Sequence, residues 1–388
     1  MTVTAPSGFT GSGIACGIKP SGDLDLSLIA TADGQPVAAA AVFTQNKMTA
    51  APVVTTNAHL TLTGGQAAAV VLNSGCANAA TGAAGVDDAQ AMCAGVAAEL
   101  GCAVEEVLVC STGLIGYRLP MDAIASAIPK LVATRSVEGG SDAAEAIRTT
   151  DTRRKETLVV GDGFTVGGMA KGAAMLAPNM ATMLAVLTTD AAVEAGELTD
   201  ILRAGVADSF NAMSVDGCTS TNDTVILLSS GEAGAPSDAA AFRAAVAEAC
   251  LDLAKQMVGD AEGHTKVVEV RVTGAVSDDE ARAGARKVAE SQLVKCSWYG
   301  RDPYWGRVAS ELGTAGITFE PDKLTVRYGD LVLAEGGVTA SVDDAAVAAY
   351  MAQEHLVVTA QLGLGDGTAR ILTNDLTHAY VDENMGTS

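Results

Sequence analysis

Near the middle of the chain, a β-branched hydroxyl residue follows a small one. The run is Lys171-Gly172-Ala173-Ala174-Met175-Leu176-Ala177-Pro178-Asn179-Met180-Ala181-Thr182-Met183-Leu184. A threonine hydroxyl is a weak nucleophile until a base takes its proton. Scission of the Ala181–Thr182 bond would leave Thr182 with a free α-amine beside its own hydroxyl. Such an amine titrates near ~8, against ~10.4 for lysine, so a usable fraction is neutral near pH 7. One residue then carries nucleophile and base together. On periodicity alone, Ala-Thr among apolar residues reads more readily as the start of a buried strand after the break at Pro178.

Acyl transfer through such a hydroxyl forms a tetrahedral intermediate whose oxygen needs fixed donors. Thr112-Gly113 follows a predicted strand, Val107–Ser111, and opens a turn where a hydroxyl and backbone N–H groups can converge. Each such donor is worth ~10²–10³ in rate. A plain strand-ending turn is the competing reading. Lys171 stands among glycines and apolar residues, where a lysine is costly to bury unless an anion meets it. A substrate carboxylate would supply that anion; a solvated lysine leaving a hairpin would need none. Glu262 follows a long predicted helix and by itself reads as a solvated carboxylate.

Other chemistries find little support. The glycine-rich segments 11–17, 161–172 and 363–367 fit neither G-x-x-x-x-G-K-[ST] nor G-x-G-x-x-G, so turns are expected and no cofactor. His59, His264, His355 and His378 do not cluster. The eight cysteines show no C-x-x-C and no histidine at ligand spacing, which points to reduced thiols rather than zinc or a disulfide scaffold. A net charge of -22 argues against nucleic acid or an anionic membrane as partner, since both require a basic face. No apolar run approaches the ~20 residues that span a bilayer. No basic region followed by an apolar core opens the chain, so a cytoplasmic location is expected.

Positioning these groups requires a large core, and 48% apolar residues over 388 positions supply it. Strand-like runs cover 24–30, 36–44, 67–73, 107–111, 183–188, 225–229, 266–273, 356–362 and 368–374. Hairpins are read around Gly161-Asp162-Gly163 and at Tyr328-Gly329-Asp330 within 324–333. Helical periodicity covers 87–100, 121–133, 142–147, 197–209, 237–258, 278–293 and 343–353. Strands and helices alternate without a regular βαβ rhythm, which predicts an α+β fold rather than a doubly wound parallel sheet.

Several ordered motifs together resemble the glutamate N-acetyltransferase (ornithine acetyltransferase) family of arginine biosynthesis. The central pattern of that family, K-G-x-G-M-x-x-P-x-x-A-T-M-L followed by T-D-A, is matched by 171–184 and by Thr189-Asp190-Ala191. Further motifs are Leu72-Asn73-Ser74-Gly75, Cys110-Ser111-Thr112-Gly113, Thr149-Thr150-Asp151, Ser220-Thr221-Asn222-Asp223-Thr224, Ala261-Glu262-Gly263, Trp305-Gly306-Arg307 and Asp375-Leu376-Thr377. The likeness runs from Gly13 to the C-terminus. It implies two lobes, with packed β-sheets sandwiched by helices in an autoprocessed N-terminal-threonine nucleophile architecture. Chains 1–181 (alpha) and 182–388 (beta) would remain associated after cleavage at Ala181, as an α2β2 heterotetramer.

By the same resemblance Thr182 is the nucleophile and Thr112 and Gly113 form the oxyanion hole. Thr149, Lys171, Thr182, Glu262, Asn384 and the terminal Ser388 (or Thr387) contact substrate. The implied reaction moves acetyl from N2-acetyl-L-ornithine to L-glutamate by a ping-pong route, with no cofactor. Acetyl-CoA as an additional donor, which would make the enzyme bifunctional, is left open by these residues. Three positions depart from the pattern: Tyr304 replaces the usual Asn of D-P-N-W-G-R, Cys218 an acidic residue, and Ala174 the second Gly of K-G-x-G-M. An N-terminal-nucleophile aminopeptidase or amidase is the alternative enzyme reading, since it differs only in the acceptor. A non-catalytic acidic binding protein is the third.

Overall fold

Strands in which every position is apolar or small must be covered on both faces, and three such runs build the first sheet. Leu26–Thr31, Ala69–Asn73 and Val107–Ser111 are buried at every residue, and Phe9–Ile14 completes the sheet at one edge. The coordinates are a computed structural model that describes residues 2–177 and 183–386. They divide into two compact units, Met1–Asn211 with Cys218–Met257, and Ala212–Gly217 with Val258–Thr387. The strand Leu184–Ala191, which follows the expected cleavage point, lies inside the first unit.

In that first unit, one face of the sheet packs Leu28, Val71 and Val109 against Met92 and Val96 of the helix Gly82–Leu100 and Ile128 of the helix Met121–Ala133. Its other face meets a second, six-stranded sheet, with Ile29, Val70, Leu72 and Leu108 against Met169, Leu184, Val186, Ile226 and Leu228. The second sheet runs in the order Gln66–Ala67, Val37–Phe43, Thr224–Gly234, Leu184–Ala191, Thr165–Lys171, Lys155–Val160. The helix Ala195–Ala207 covers the strand Val37–Phe43 on the far side. The result is the α+β sandwich of two sheets between helices that the sequence predicts.

The second unit is thinner. Its six-stranded sheet includes Val267–Ala275, whose alternating burial marks a sheet covered on one face. Val268, Val270 and Val272 pack with Ala281, Ala285 and Val288 of the helix Asp278–Glu290. Trp298 is wholly buried there and its Nε1 donates to the Tyr328 hydroxyl at 3.3 Å.

Beyond the strand Phe9–Ile14 and the helices Trp305–Leu312 and His378–Glu383, which the sequence reading lacks, three elements differ from expectation. The helix Ala51–Thr63 is absent from the sequence reading because APVVTTNAHLTLT is rich in β-branched residues. Pro52 at its first turn, Gly64 in the left-handed C-cap and tertiary bonding override that preference. In particular, the Thr56 hydroxyl bonds both Val109 O and Val109 N. The predicted helix 278–293 is two helices, because Ser291 takes an extended conformation and its hydroxyl caps Val294 N. The helix Gly82–Leu100 starts a turn earlier than predicted, its first turn holding only small residues without apolar periodicity.

Replacing Trp298 with Ala should lower stability by about 3–5 kcal/mol through loss of packing. Urea unfolding followed by the fluorescence of Trp305, the other tryptophan of the chain, reads this in the same unit.

Candidate active site

Asp151 is the centre of the charged cluster in the first unit. It is 3% exposed, and its Oδ1 accepts from Lys155 Nζ at 2.5 Å and from Gly172 N at 2.7 Å. Its Oδ2 accepts from Thr149 N at 3.2 Å. Burial alone would raise its pKa, but the Lys171 and Lys155 ammonium groups and the Gly172 N–H hold it down at about 2. One carboxylate thus ties together Thr149, the end of the strand that carries Lys171, and a second buried lysine. Thr149 is half-buried and Thr150 exposed.

Lys171, 8% exposed, donates from Nζ to Thr112 Oγ1 at 3.2 Å. The structure therefore brings three sequence-predicted residues, Thr112, Thr149 and Lys171, into one bonded cluster. Thr112 lies where the Val107–Ser111 strand ends; its N–H donates to Asn73 O at 3.0 Å, and it bridges to Cys76. Gly113 has φ +126°, and an added Cβ would sit 2.3 Å from the Gly75 carbonyl carbon. Only glycine fits there, which fixes how the backbone turns beside the Thr112 hydroxyl. Asn222 closes the turn from the neighbouring segment, its Nδ2 donating to Ala77 O at 2.6 Å and to Ser111 O at 2.9 Å.

Asp223, quoted in a motif above but given no role, anchors the chain at Met183. Its Oδ1 accepts from Met183 N at 2.7 Å, while Met183 O accepts from Thr224 N at 3.0 Å. Met183 is the residue directly after Thr182, so the chain is pinned on both edges at that point. Asp223 is 2% exposed, and burial raises its pKa well above the carboxylate range despite the Met183 N–H, the Thr44 and Ser220 hydroxyls and Lys171. The approach to the site carries backbone strain, since Met175 adopts φ +51°. Thr182, Ala181, Thr387 and Ser388 lie outside the described residues.

The second unit holds the remaining predicted contacts. Asn384 Nδ2 donates to Glu262 Oε2 at 2.7 Å and to Tyr380 O at 2.8 Å. Gly263 has φ +60°, and a Cβ there would approach Tyr380 N to 2.2 Å, so the turn after Glu262 lies directly on the helix His378–Glu383 that leads to Asn384. Of the departures from the family pattern, Cys218 is exposed and accepts from Ala177 N through its carbonyl, Ala174 is half-buried, and Tyr304 is exposed at the start of the helix Trp305–Leu312. Among the described residues no disulfide joins two cysteines and no cluster of metal-ligating side chains occurs. No helix of the described residues is long and apolar enough to cross a membrane.

Comparison with known proteins covers nearly the whole chain. The ArgJ family model matches residues 10–386. A Thermobifida fusca protein named arginine biosynthesis bifunctional protein ArgJ is 46% identical over 388 residues, the full length of both chains. A Streptomyces coelicolor protein of the same name is 48% identical over 389 residues, again over the whole of both. Among solved structures, ornithine acetyltransferase from Mycobacterium tuberculosis complexed with ornithine shows 46% identity and a TM-score of 0.44. That alignment covers 47% of this chain and 95% of that one.

Two outcomes follow from the buried acids. Asp151 has a folded pKa below its unfolded one, so its contribution is complete above pH ~4 and fades as the pH falls towards 2. Asp151→Asn should cost about 3–5 kcal/mol at neutral pH by stranding a buried lysine. The gap to the wild type should narrow below pH 4, as read by urea midpoints across pH 5 to 2. Asp223→Asn keeps a neutral acceptor for Met183 N and should leave the thermal midpoint nearly unchanged, whereas Asp223→Ala should cost about 1–3 kcal/mol.

Proposed function

The chain belongs to the ArgJ family, and from that premise we propose an autoprocessed acetyltransferase of arginine biosynthesis that moves acetyl from N2-acetyl-L-ornithine to L-glutamate. The observation that carries the reading is the bonded cluster of Thr112, Lys171 and Asp151 in the unit where Asp223 pins the residue after Thr182.

In the precursor, Thr182 Oγ attacks the Ala181 carbonyl carbon, and the amide nitrogen leaves as the Thr182 α-amine. Water hydrolyses the resulting ester to free the hydroxyl and the Ala181 carboxylate. Chains 1–181 and 182–388 stay together, since the Leu184–Ala191 strand is hydrogen bonded between Thr165–Lys171 and Thr224–Gly234 and cannot leave without breaking the sheet. In catalysis the α-amine takes the Oγ proton as Oγ attacks the acetyl carbonyl. The Thr112 hydroxyl and Gly113 N–H receive the oxyanion, and ornithine leaves with the proton. The glutamate amine then attacks the acetyl ester and Thr182 Oγ departs protonated, which is ping-pong chemistry. Thr149, Lys171, Glu262, Asn384 and Ser388 hold the substrates.

The donor is an amide, so the cycle needs no cofactor. The relatives carry the word bifunctional in their name, which favours acetyl-CoA as a second acetyl donor, used to make N-acetylglutamate directly. Assembly as α2β2 and a cytoplasmic location complete the reading. The aminopeptidase or amidase alternative shares the acyl-enzyme and differs in passing acetyl to water; family membership favours transfer.

Thr182→Ala should give one uncut chain of 39.0 kDa and no acetyl transfer; two fragments on a denaturing gel would contradict the scheme. Thr112→Ala should cut kcat by about 10²–10³ by removing one oxyanion donor. An assay that follows N-acetylglutamate against free acetate separates transfer from hydrolysis.

A further inference from the structure

Hydrophobic contact between stacked sheets is non-directional, so it fixes the offset of one strand end against another less sharply than hydrogen bonds do. In the first unit, Thr112 and Gly113 follow the strand Val107–Ser111 of one sheet. Met183, the residue after Thr182 in the chain, leads into the strand Leu184–Ala191 of the other. An oxyanion donor must lie within about 2.7–3.1 Å of the oxygen it serves. Such precision calls for a directional tie between these two strand ends. The dipeptide Asn222-Asp223 supplies one, with each of its side chains bonded to a different sheet.

Asn222 is buried, and its amide is engaged at both atoms. Nδ2 donates to Ala77 O at 2.6 Å and to Ser111 O at 2.9 Å, while Oδ1 accepts from the Thr221 hydroxyl at 2.6 Å. Both carbonyls belong to the turn region around Thr112. Ser111 is the direct chain neighbour of Thr112. Ala77 ends the stretch 75–77, which is laced to the far side of the turn: Ala77 N donates to Leu114 O at 2.9 Å and Leu114 N to Gly75 O at 3.3 Å. One amide thus clamps both limbs of the turn that presents Thr112 and Gly113.

One residue later, Asp223 Oδ1 accepts from Met183 N, and Asp223 O accepts from Thr44 N at 2.9 Å. The backbone that carries both side chains is itself held. The Thr44 hydroxyl donates to Ser220 O at 2.8 Å, and Ala50 N donates to Thr221 O at 2.9 Å. The junction at position 222 requires two donors on one atom of a short side chain and an acceptor beside them. Asparagine has that set; aspartate has the shape without the donors, and serine has a single donor.

We propose that Asn222 is a positioning residue for acetyl transfer, holding the Thr112 and Gly113 donors in register with the strand that begins after the scission point. It acts through that turn and not on substrate, since both ends of its amide are spent on the protein. The role deepens the acetyl-transfer reading and rests on it, because it presupposes that Thr112 and Gly113 receive the oxyanion. A misplacement of ~1 Å in a reacting geometry can cost ~10²-fold in rate, which sets the scale of the effect.

The test uses the intact, processed protein. Asn222→Ala and the similarly shaped Asn222→Asp should each lower kcat about 10–100-fold, with KM for N-acetylornithine and for glutamate nearly unchanged, since only donors used in the transition state move. On a Thr112→Ala background, Asn222→Ala should add little, because the hydroxyl that it positions is already gone. A merely structural role would instead reduce the active fraction equally in both backgrounds. Losses that multiply across the two backgrounds, a raised KM at unchanged kcat, or wild-type kinetics would overturn the proposal. Should the Asn222 variants fail to fold or to be cut, Thr221→Val decides, since it removes the hydroxyl that orients the amide and keeps the side-chain size. A lowered kcat at constant KM, absent on the Thr112→Ala background, supports the role; a wild-type kcat overturns it. Wild-type protein that transfers no acetyl group, or Thr112→Ala at the wild-type rate, would instead overturn the functional reading beneath it.

Discussion

The hydrogen bond from Met183 N to Asp223 Oδ1 is the constraint on which the candidate site depends. It fixes where the strand Leu184–Ala191 begins, and every register between that strand and its two neighbours is counted from there. A short polar side chain, buried and with its pKa raised by that burial, thereby positions the backbone at Met183.

The two units treat buried charge in opposite ways. In the first, Asp151 collects Lys155 directly and stands in the field of Lys171, so the charges balance locally and the carboxylate stays ionised into strong acid. Lys171 can then approach the Thr112 hydroxyl as a donor while its charge is compensated. In the second, Lys295 sits among neutral acceptors with acids only nearby, and the adjoining Asn374 oxygen is left bare. Folding alone does not favour either arrangement over a packed hydrophobic alternative of similar volume.

Much of this was legible in the sequence, and the limits have physical causes. The strands 107–111 and 225–229 were readable because continuous apolar runs of that length suit sheets buried on both faces. Gly113 could be singled out from its motif, but the reason for it, a contact with the Gly75 backbone, is a tertiary fact. Helix Ala51–Thr63 was hidden because its valines and threonines favour strands locally, and only contacts to Val109 decide otherwise. Asp151 and Asp223 stood in the motifs without a role, since the partner that ties each to the site lies tens of residues away: Gly172 for one, Met183 for the other. Lys295 gave no signal at all. A single lysine inside a helical pattern looks solvated until the fold buries it.

Acetyl transfer to an amine in water faces a competitor present at ~55 M, and the structure bears on how transfer wins. Lys171, Asp151 and Asp223 are 8%, 3% and 2% exposed, so the polar groups of the candidate site are themselves inside the protein. In such surroundings each fixed dipole acts more strongly than in water, and little reorganisation is needed as the oxyanion forms. A bound amino acid also brings its own amine with it, which bulk water does not have to be excluded to supply. Selection of the acceptor then falls to the groups that recognise its side chain, since the attacking amine is common to all amino acids. A cluster that only stabilised the oxyanion would accelerate hydrolysis as readily as transfer. Acceptor recognition, rather than stronger oxyanion binding, is therefore what distinguishes an acetyltransferase from an amidase built on the same threonine.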